Sequence, residues 1–486
     1  MARRHITRLS HVFAVTLAAA CGIDSPSDTI RAAQPGLDAA VEDAFTFARE
    51  RLEATAADIR ANHPQDFASF YPTSTETRGD TIGQWQLEAA DDWRSGFFPG
   101  AMWQLYRRTG EAAHLEAARA WSEPIADYSE DAIDYDIGNR FNTTFGLGYR
   151  LSSDASDPGG GYRERAREMI VTAAATLDRR FDMRGIPVGA LRALDTYAAP
   201  YPVYIDGMMN LELLFLGWDV SGRPASGPPA IWYAHAVTSA VTTMDQNVRA
   251  DGSTYHIVQH DDGTHGTPPD GRIYAKISDQ GYAPESTWSR GQAWAIYGFT
   301  MVYRFTKDDP AVQPARFLDT ARRAADYFIA HLPHHNVADR YNHVAGDFVP
   351  PSDFDAALGE PAGPWNDANG DHVFGDRRPP LHAFVARDSS AAAAAASGLF
   401  ELGTLARDPA ERQRYRGAAE DILRSLLTFR GPDGELVYLA RRSIHRGILA
   451  KGSVSWGRPQ SSLIYGDYFL IEAMNRYRAI REGRPL

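Results

Sequence analysis

A connection that recurs along this chain limits what it can fold into: a helix ending in Tyr or Leu, then a polar turn, then an alanine-rich helix. It occurs as YRRTGEAAHLEAARAW at 106–121, YRLSSDASDPGGGYRERA at 149–166 and GWDVSGRPASGPPAIWYAHA at 217–236. It returns as YRFTKDDPAVQPARFLDTA at 303–321 and LGTLARDPAERQRYRGAA at 402–419. Acidic, Ser and Gly turn residues with a proline near the next helix start are helix punctuation, because proline is pre-organised for a first helical turn. From Leu37 to Asn62 the apolar residues Leu37, Ala40, Val41, Phe45, Ala48 and Leu52 recur at three and four residues, which predicts an amphipathic helix. Similar patterns predict helices over 99–108, 112–125, 163–181, 208–218, 232–248, 290–305, 314–331, 389–405, 410–427 and 467–478. Alternating patterns are scarce, and only short pieces such as Thr254–Val258 suit a strand. The joints are too widely spaced for a short-period solenoid. The chain is therefore expected to be all-α, with eleven or twelve helices in hairpins, closed on itself as one α/α-barrel domain over 37–486. The pattern alone also fits an open helical superhelix.

Charge and cysteine usage narrow the function classes. Formal net charge is −12 and no long basic block is present, which excludes a nucleic-acid footprint. No apolar run reaches the roughly 20 residues needed to span a bilayer, so a multispan membrane protein is excluded. The single cysteine, Cys21, ends MARRHITRLSHVFAVTLAAAC, a basic n-region followed by a short apolar run and small residues. That reads as a bacterial lipoprotein signal over 1–21, with Cys21 lipidated as the first mature residue and 22–36 as a tether. The expected location is periplasmic or anchored at the outer membrane, with membrane contact only through the lipid. A chance cysteine at an ordinary cleavage site is the alternative. With the thiol so used, none remains for disulfides, metals or nucleophilic catalysis.

The joints hold most of the chemistry-bearing residues. WRSGFFPG (93–100), DYDIGNRF (134–141), YIDGMMN (204–210), DGSTYH (251–256), DQGYAPESTWSRGQAW (279–294) and LIYGDYF (463–469) combine aromatics, carboxylates and amides around glycine. Such a set suits a sugar: rings stack on C–H faces while amides and charges take hydroxyls. Core packing is the alternative for any one aromatic. HLPHHN at 331–336 and HDDGTH at 260–265 show neither a helical HExxH nor a Cys/His array, so no metal is expected. No Walker or Rossmann glycine pattern follows a strand, so no nucleotide cofactor is expected either.

From about Trp93 to Tyr477 these segments resemble glycoside hydrolase family 88, the unsaturated glucuronyl hydrolases. The resemblance rests on WRSGFFPGAMW, YIDGMMNLELLF, QGYAPESTWSRGQAWAIYGFTMVYRFTKD, RDSSAAAAAASGLFELG and SSLIYGDYFLIEAMNRY. It implies an (α/α)6 barrel, no metal, and hydrolysis of oligosaccharides ending in a 4,5-unsaturated uronic acid of the kind polysaccharide lyases make. It also implies chemistry at the C4=C5 vinyl ether rather than at the anomeric carbon, so the spacing of the carboxylates does not decide a stereochemical outcome. Asp206 matches the general acid/base, with a helix N-cap as its structural alternative. Asp136 matches a second essential aspartate that holds ring hydroxyls and keeps Asp206 protonated by repulsion; a turn-capping role is its alternative. The chain departs from the family pattern with Tyr135 and Asn139, and Asp134 leaves the register open. The resemblance makes His256 an active-site histidine and lets Gln280, Arg290 and Trp294 line the subsite for the unsaturated ring, Arg290 gripping the uronate carboxylate. Trp93 and Trp294 would stack and Tyr465 would offer a hydroxyl. The segments 257–279 and 349–380 look enlarged, the first as a flexible rim loop. Two further readings are an unsaturated rhamnogalacturonyl hydrolase and a non-catalytic glycan-binding surface lipoprotein.

Overall fold

Apolar spacing produces two kinds of helix in this chain, alternating along it. The structure is a computed structural model and describes residues 36–133, 135–193, 201–263, 270–336, 343–356 and 386–486. Among the described residues the helices are α1 (Leu37–Asn62), α2 (Phe97–Thr109), α3 (Ala112–Ser122) and α4, which runs through Ile137–Phe141, a π-helical turn Asn142–Gly146 and Leu147–Leu151. There follow α5 (Gly161–Asp178), α6 (Gly207–Val220), α7 (Pro228–Asn247), α8 (Ser289–Thr306), α9 (Ala315–Ala330), α10 (Ser389–Leu405), α11 (Pro409–Thr428) and α12 (Ile464–Arg481). The odd-numbered helices bury one stripe only; α9, for example, buries Phe317, Leu318, Ala321, Ala324, Ala325 and Phe328. The even-numbered ones are buried nearly all round, as a helix with neighbours on every side must be. In α10 every residue from Ser389 to Gly403 is buried, including the run Ala391–Ala396.

This alternation builds a closed double ring. α2 packs on α4, α4 on α6, α6 on α8, α8 on α10, α10 on α12, and α12 returns to α2. Each odd-numbered helix covers this ring from outside: α3 on α2, α5 on α6, α7 on α6, α9 on α8, α11 on α10, and α1 on α11 and α12. The chain is an (α/α)6 barrel, not an open superhelix. Leu37–Leu486 form one compact unit. The expected signal over 1–21, Cys21 and the expected tether up to residue 35 lie outside the described residues.

Strands are short. β1 (Tyr71–Thr75) and β2 (Trp85–Glu88) pair antiparallel; β3 (Tyr201–Tyr204), β4 (Ile257–His260) and β5 (Ile273–Ile277) form an antiparallel sheet in that order. This corrects one expectation. The segment 257–279 is largely a β-hairpin and not a loop throughout, because the alternation of IVQH and IYAKI lets it pair with YPVY of β3. Residues 264–269 of it lie outside the described residues, as do 357–385 of the proline-rich segment. The described start of that second segment enters the core, with Val349 and Phe354 buried.

Two features fix how closely the inner helices approach. A Cβ on Gly298 of α8 would lie 2.4 Å from Met208 Cβ of α6, so only glycine allows that contact. Nearer the C-terminal ends, an ion network ties four inner helices. Arg304 of α8 donates to Glu212 of α6 (2.8 Å) and Glu401 of α10 (2.5 Å), and Arg476 of α12 lies 3.0 Å from the second Glu401 oxygen. Beside it runs a cavity of about 390 Å³, lined among others by Gln104, Arg107, Asn142, Glu212 and Glu472. Removing one partner of a buried network strands the remaining charges. We therefore expect Glu401→Leu to lower the unfolding free energy by about 3–5 kcal/mol, read from urea denaturation; a loss below about 1 kcal/mol, the range of exposed pairs, would contradict the network's role.

Candidate active site

The even-numbered helices begin at one end of the barrel, and the joints that feed them meet there. Asp136 immediately precedes α4, Asp206 precedes α6, Trp288 precedes α8, Asp388 precedes α10 and Leu463 precedes α12. Helix N-termini carry partial positive charge, so this end of the barrel suits an anionic ligand despite the net charge of −12.

The three-stranded sheet sets the centre of the site. Tyr204 pairs with Ile257, and Ile257 with Ile277, so the residues just beyond those positions meet at one edge. Those residues are Asp206, His256, Ser278 and Asp279. The Ile205 backbone N–H donates to the His256 carbonyl (3.0 Å), which locks the approach. His256 Nε2 lies 3.6 Å from Asp206 Oδ1, and its Nδ1 lies 3.1 Å from Asp279 Oδ1 and 3.2 Å from Ser278 Oγ.

Asp206 holds the N-cap position of α6, yet its carboxyl makes no capping hydrogen bond. Its Oδ1 is buried and has no hydrogen-bond partner. Burial, with the like charges of Asp136 and Asp279 added, pushes the Asp206 carboxyl up to about 8. At neutral pH it is therefore largely an acid. Asp136 accepts hydrogen bonds from Asn210 Nδ2 (2.9 Å) and Asn139 Nδ2 (3.3 Å), while the Asn139 backbone N–H donates to Asn210 Oδ1 (3.0 Å). The departure at Asn139 thus gives Asp136 an amide partner. The departure at Tyr135 places a buried phenol against Gly207, whose added Cβ would sit 2.0 Å from that oxygen. Asp134 lies outside the described residues.

Aromatic rings gather near these joints. Trp93 is half-buried and tilted on Tyr465 at 5.4 Å between centroids; Trp294 is buried against Phe469 at 5.2 Å and Trp288 against His256 at 4.5 Å. The Tyr465 hydroxyl is buried without a hydrogen-bond partner, and burial pushes it up to about 12. Arg290 is 3% exposed and already engaged. Its Nη1 donates to Asp388, Ser390 and the Ser453 carbonyl, and its Nη2 to Gln280 Oε1 (2.7 Å) and the Val454 carbonyl (2.7 Å). Its terminal N–H groups are thus taken by protein acceptors, and the free fork expected for a carboxylate is absent. Arg290 knots α8, α10, Gln280 and the 453–454 loop together and lies over the Tyr465 ring.

Sequence reasoning missed Asn210, four residues after Asp206 on the same helix, and Asp279, whose place depends on strand register. Asp353 was also missed. It accepts from the Tyr282 N–H (2.8 Å) and Ser286 Oγ (2.7 Å), anchoring the segment that carries Asp279 and Gln280. A group of possible metal ligands, Glu53, Glu111 and His114, lies at the contact of α1 and α3 rather than at the Asp206 end, and Arg49 pairs with both carboxylates.

No family model matches the chain. It is similar to an unsaturated glucuronyl hydrolase of Formosa agariphila, 29% identical over 391 residues that make up 79% of this chain and 80% of the relative. It is also similar to an unsaturated glucuronyl hydrolase of Bacillus sp. strain GL1, 28% identical over 87% of this chain and 94% of the relative. The solved structure of an unsaturated glucuronyl hydrolase specific for heparin superposes with a TM-score of 0.69 at 27% identity, over 92% of this chain and 98% of the other. Barrel, buried acid and relatives together define a glycoside hydrolase. These relatives support the resemblance of the chain to glycoside hydrolase family 88, the unsaturated glucuronyl hydrolases.

A buried acid of this kind leaves a mark on stability. An unfolded Asp loses its proton near 3.9, whereas native Asp206 keeps its own to about 8. Between these limits the native state binds more protons, so stability falls as pH rises. Asp206→Asn removes that loss. The gain in Tm of the variant over wild type should be near zero at pH 4 and grow toward pH 8 in scanning calorimetry; a gain that does not vary with pH would contradict the raised acid.

Proposed function

We propose that this chain removes the 4,5-unsaturated uronic acid from the non-reducing end of lyase-cut oligosaccharides by hydrating its C4=C5 vinyl ether. The observation that carries this reading is the Asp206 carboxyl, held protonated at neutral pH with an unpartnered oxygen at the end of the barrel where the inner helices begin. A vinyl ether needs an acid at C4, and one group can serve both proton steps. Asp206 donates its proton to C4, and the positive charge that develops at C5 is shared with the ring oxygen. Water adds at C5 and gives its proton to the Asp206 carboxylate, which regenerates the acid. The C5 hemiketal then opens to a ketone, leaving a hemiacetal at C1 that expels the rest of the chain as an alcohol. One water is consumed and the acid is returned.

Other residues take positioning roles in this reading. Asp136, held by Asn139 and Asn210, binds ring hydroxyls and adds the like charge that helps keep Asp206 protonated. Trp93 offers a stacking face and Tyr465 its hydroxyl, while Trp294 is buried against Phe469. Gln280 lines the subsite with its orientation set by Arg290. The helix N-termini supply the attraction for the uronate that a free arginine was expected to give. The named relatives are enzymes of this chemistry, which favours neither a rhamnogalacturonyl hydrolase nor a non-catalytic binder. Asp206→Asn should lower kcat by at least 10²–10⁴-fold, the usual range for general acid–base groups, with KM little changed, followed by loss of absorbance near 235 nm. Retention of more than about a tenth of wild-type kcat would remove Asp206 from the chemistry.

We further propose that the chain is exported and held at the membrane by a lipid on Cys21; the support is the basic, apolar and small-residue order of 1–21. Cys21→Ser should move the protein from the membrane fraction to the soluble fraction at unchanged total amount. Wild type already soluble in the periplasm would contradict the anchor.

A further inference from the structure

We propose that Asp279 is a positioning residue that fixes the tautomer of His256, so that His256 accepts the proton carried by Asp206; this rests on the reading of Asp206 as the general acid. The sheet edge aligns three groups, Asp279 Oδ1 at 3.1 Å from His256 Nδ1, and His256 Nε2 at 3.6 Å from Asp206 Oδ1. The His256 side chain is fully buried between the Tyr204 and Trp288 rings, so solvent does not compete for its nitrogens. Burial pushes the imidazole down to about 4, so at neutral pH it carries one proton only. A neutral imidazole is a donor at one nitrogen and an acceptor at the other.

Asp279 decides which nitrogen donates. A carboxylate oxygen is an acceptor and repels a lone pair, so the proton belongs on Nδ1. Ser278 Oγ, the other neighbour of Nδ1, already accepts from the Gly281 N–H (2.8 Å) and leaves that choice to the charge. Nε2 then presents a bare lone pair to Asp206 Oδ1, and neither atom has another hydrogen-bond partner. With Asp206 protonated, its O–H faces the Nε2 lone pair across 3.6 Å, a gap that must shorten to make an O–H···N bond; with Asp206 ionised, two acceptors face each other. The arrangement therefore favours the acid before the first step and leaves a strong base after it, ready to take a proton from water. The other charged and titratable groups around the pair are Asp136 and Tyr135 from the α4 joint, Tyr204 from β3 and Arg290 from α8. Nδ1 has its hydrogen bond with Ser278 Oγ, while Asp279 Oδ1 lies 3.1 Å away, buried and without a hydrogen-bond partner, so it is the charge of Asp279 that sets the tautomer.

The test pairs a spectrum with a rate profile. In ¹⁵N-histidine-labelled wild type, with the His256 signals assigned by their loss in His256→Gln, Nδ1 should be protonated and Nε2 bare at pH 7. In Asp279→Asn the amide can donate to Nδ1, so the proton should move to Nε2. The alkaline limb of the kcat profile should then fall by about 1 pH unit or more, with about a tenfold loss of kcat at pH 8 and KM little changed. Asp279→Glu, which keeps an acceptor, should keep the limb at the wild-type position whatever its rate, which separates the tautomer from general damage to the fold. A protonated Nε2 in wild type, or an unmoved limb in Asp279→Asn, would overturn the proposal. The spectrum needs no substrate: the stated tautomer with no turnover of any unsaturated uronide would support Asp279 and overturn only the reaction.

Discussion

The rest of the structure depends on a ring of six inner helices that begin at the same end of the barrel. Closing the ring from α12 back to α2 leaves each inner helix surrounded, so its residues must be apolar or small and its N-terminus must open on a shared space. Every joint entering that end then contributes to one site, although the joints are far apart in sequence. At the same end two effects oppose each other at Asp206. A helix N-terminus favours a carboxylate, whereas enclosure by protein and the charges of Asp136 and Asp279 favour the acid. The acid wins because the carboxyl makes no capping hydrogen bond to its own helix. Asp388 at α10 is held differently: it accepts hydrogen bonds from the Ser390 and Ala391 N–H groups and from Arg290.

Stability and function are separated along the barrel axis. Toward the C-terminal ends the Arg304–Glu401–Arg476 network satisfies most of its charges internally and ties four helices. Toward the N-terminal ends, Asp206 Oδ1, His256 Nε2 and the Tyr465 hydroxyl stay buried without partners. Buried polar atoms left so cost free energy, and these three lie where a substrate would supply the missing contacts. Arg290 lies between the two regimes. It spends its donors on the protein, and by doing so fixes Gln280 and the 453–454 loop.

Much of this was legible in the sequence, and the failures have physical reasons. Eleven helices announce themselves by apolar spacing and by the proline-led joints. α4 does not, because GNRFNTTFGLGYR carries three glycines and two adjacent threonines and forms its helix around a π turn imposed by packing. Asp206, Asp136 and His256 could be singled out from local motifs that the structure brings to one end of the barrel. Arg290 was legible as a site residue but not in its work, since Asp388 and Ser453, its acceptors, lie about a hundred residues or more further on. Asp279 reads locally as a turn residue; only the pairing of Ile257 with Ile277 reveals that it faces His256.

The central claim is that Asp206 is a protonated carboxyl at neutral pH. Infrared difference spectra between wild type and Asp206→Asn, recorded across a pH titration, measure this directly. Subtraction matters because Asp467 and Asp353 are also buried, with carboxyls pushed up to about 7 and about 6. A carboxylic C=O band should be present in wild type and absent from the variant, and should disappear with a midpoint near 8. A band that titrates in the ordinary carboxylate range near 4, or no band at all at pH 7, would contradict it.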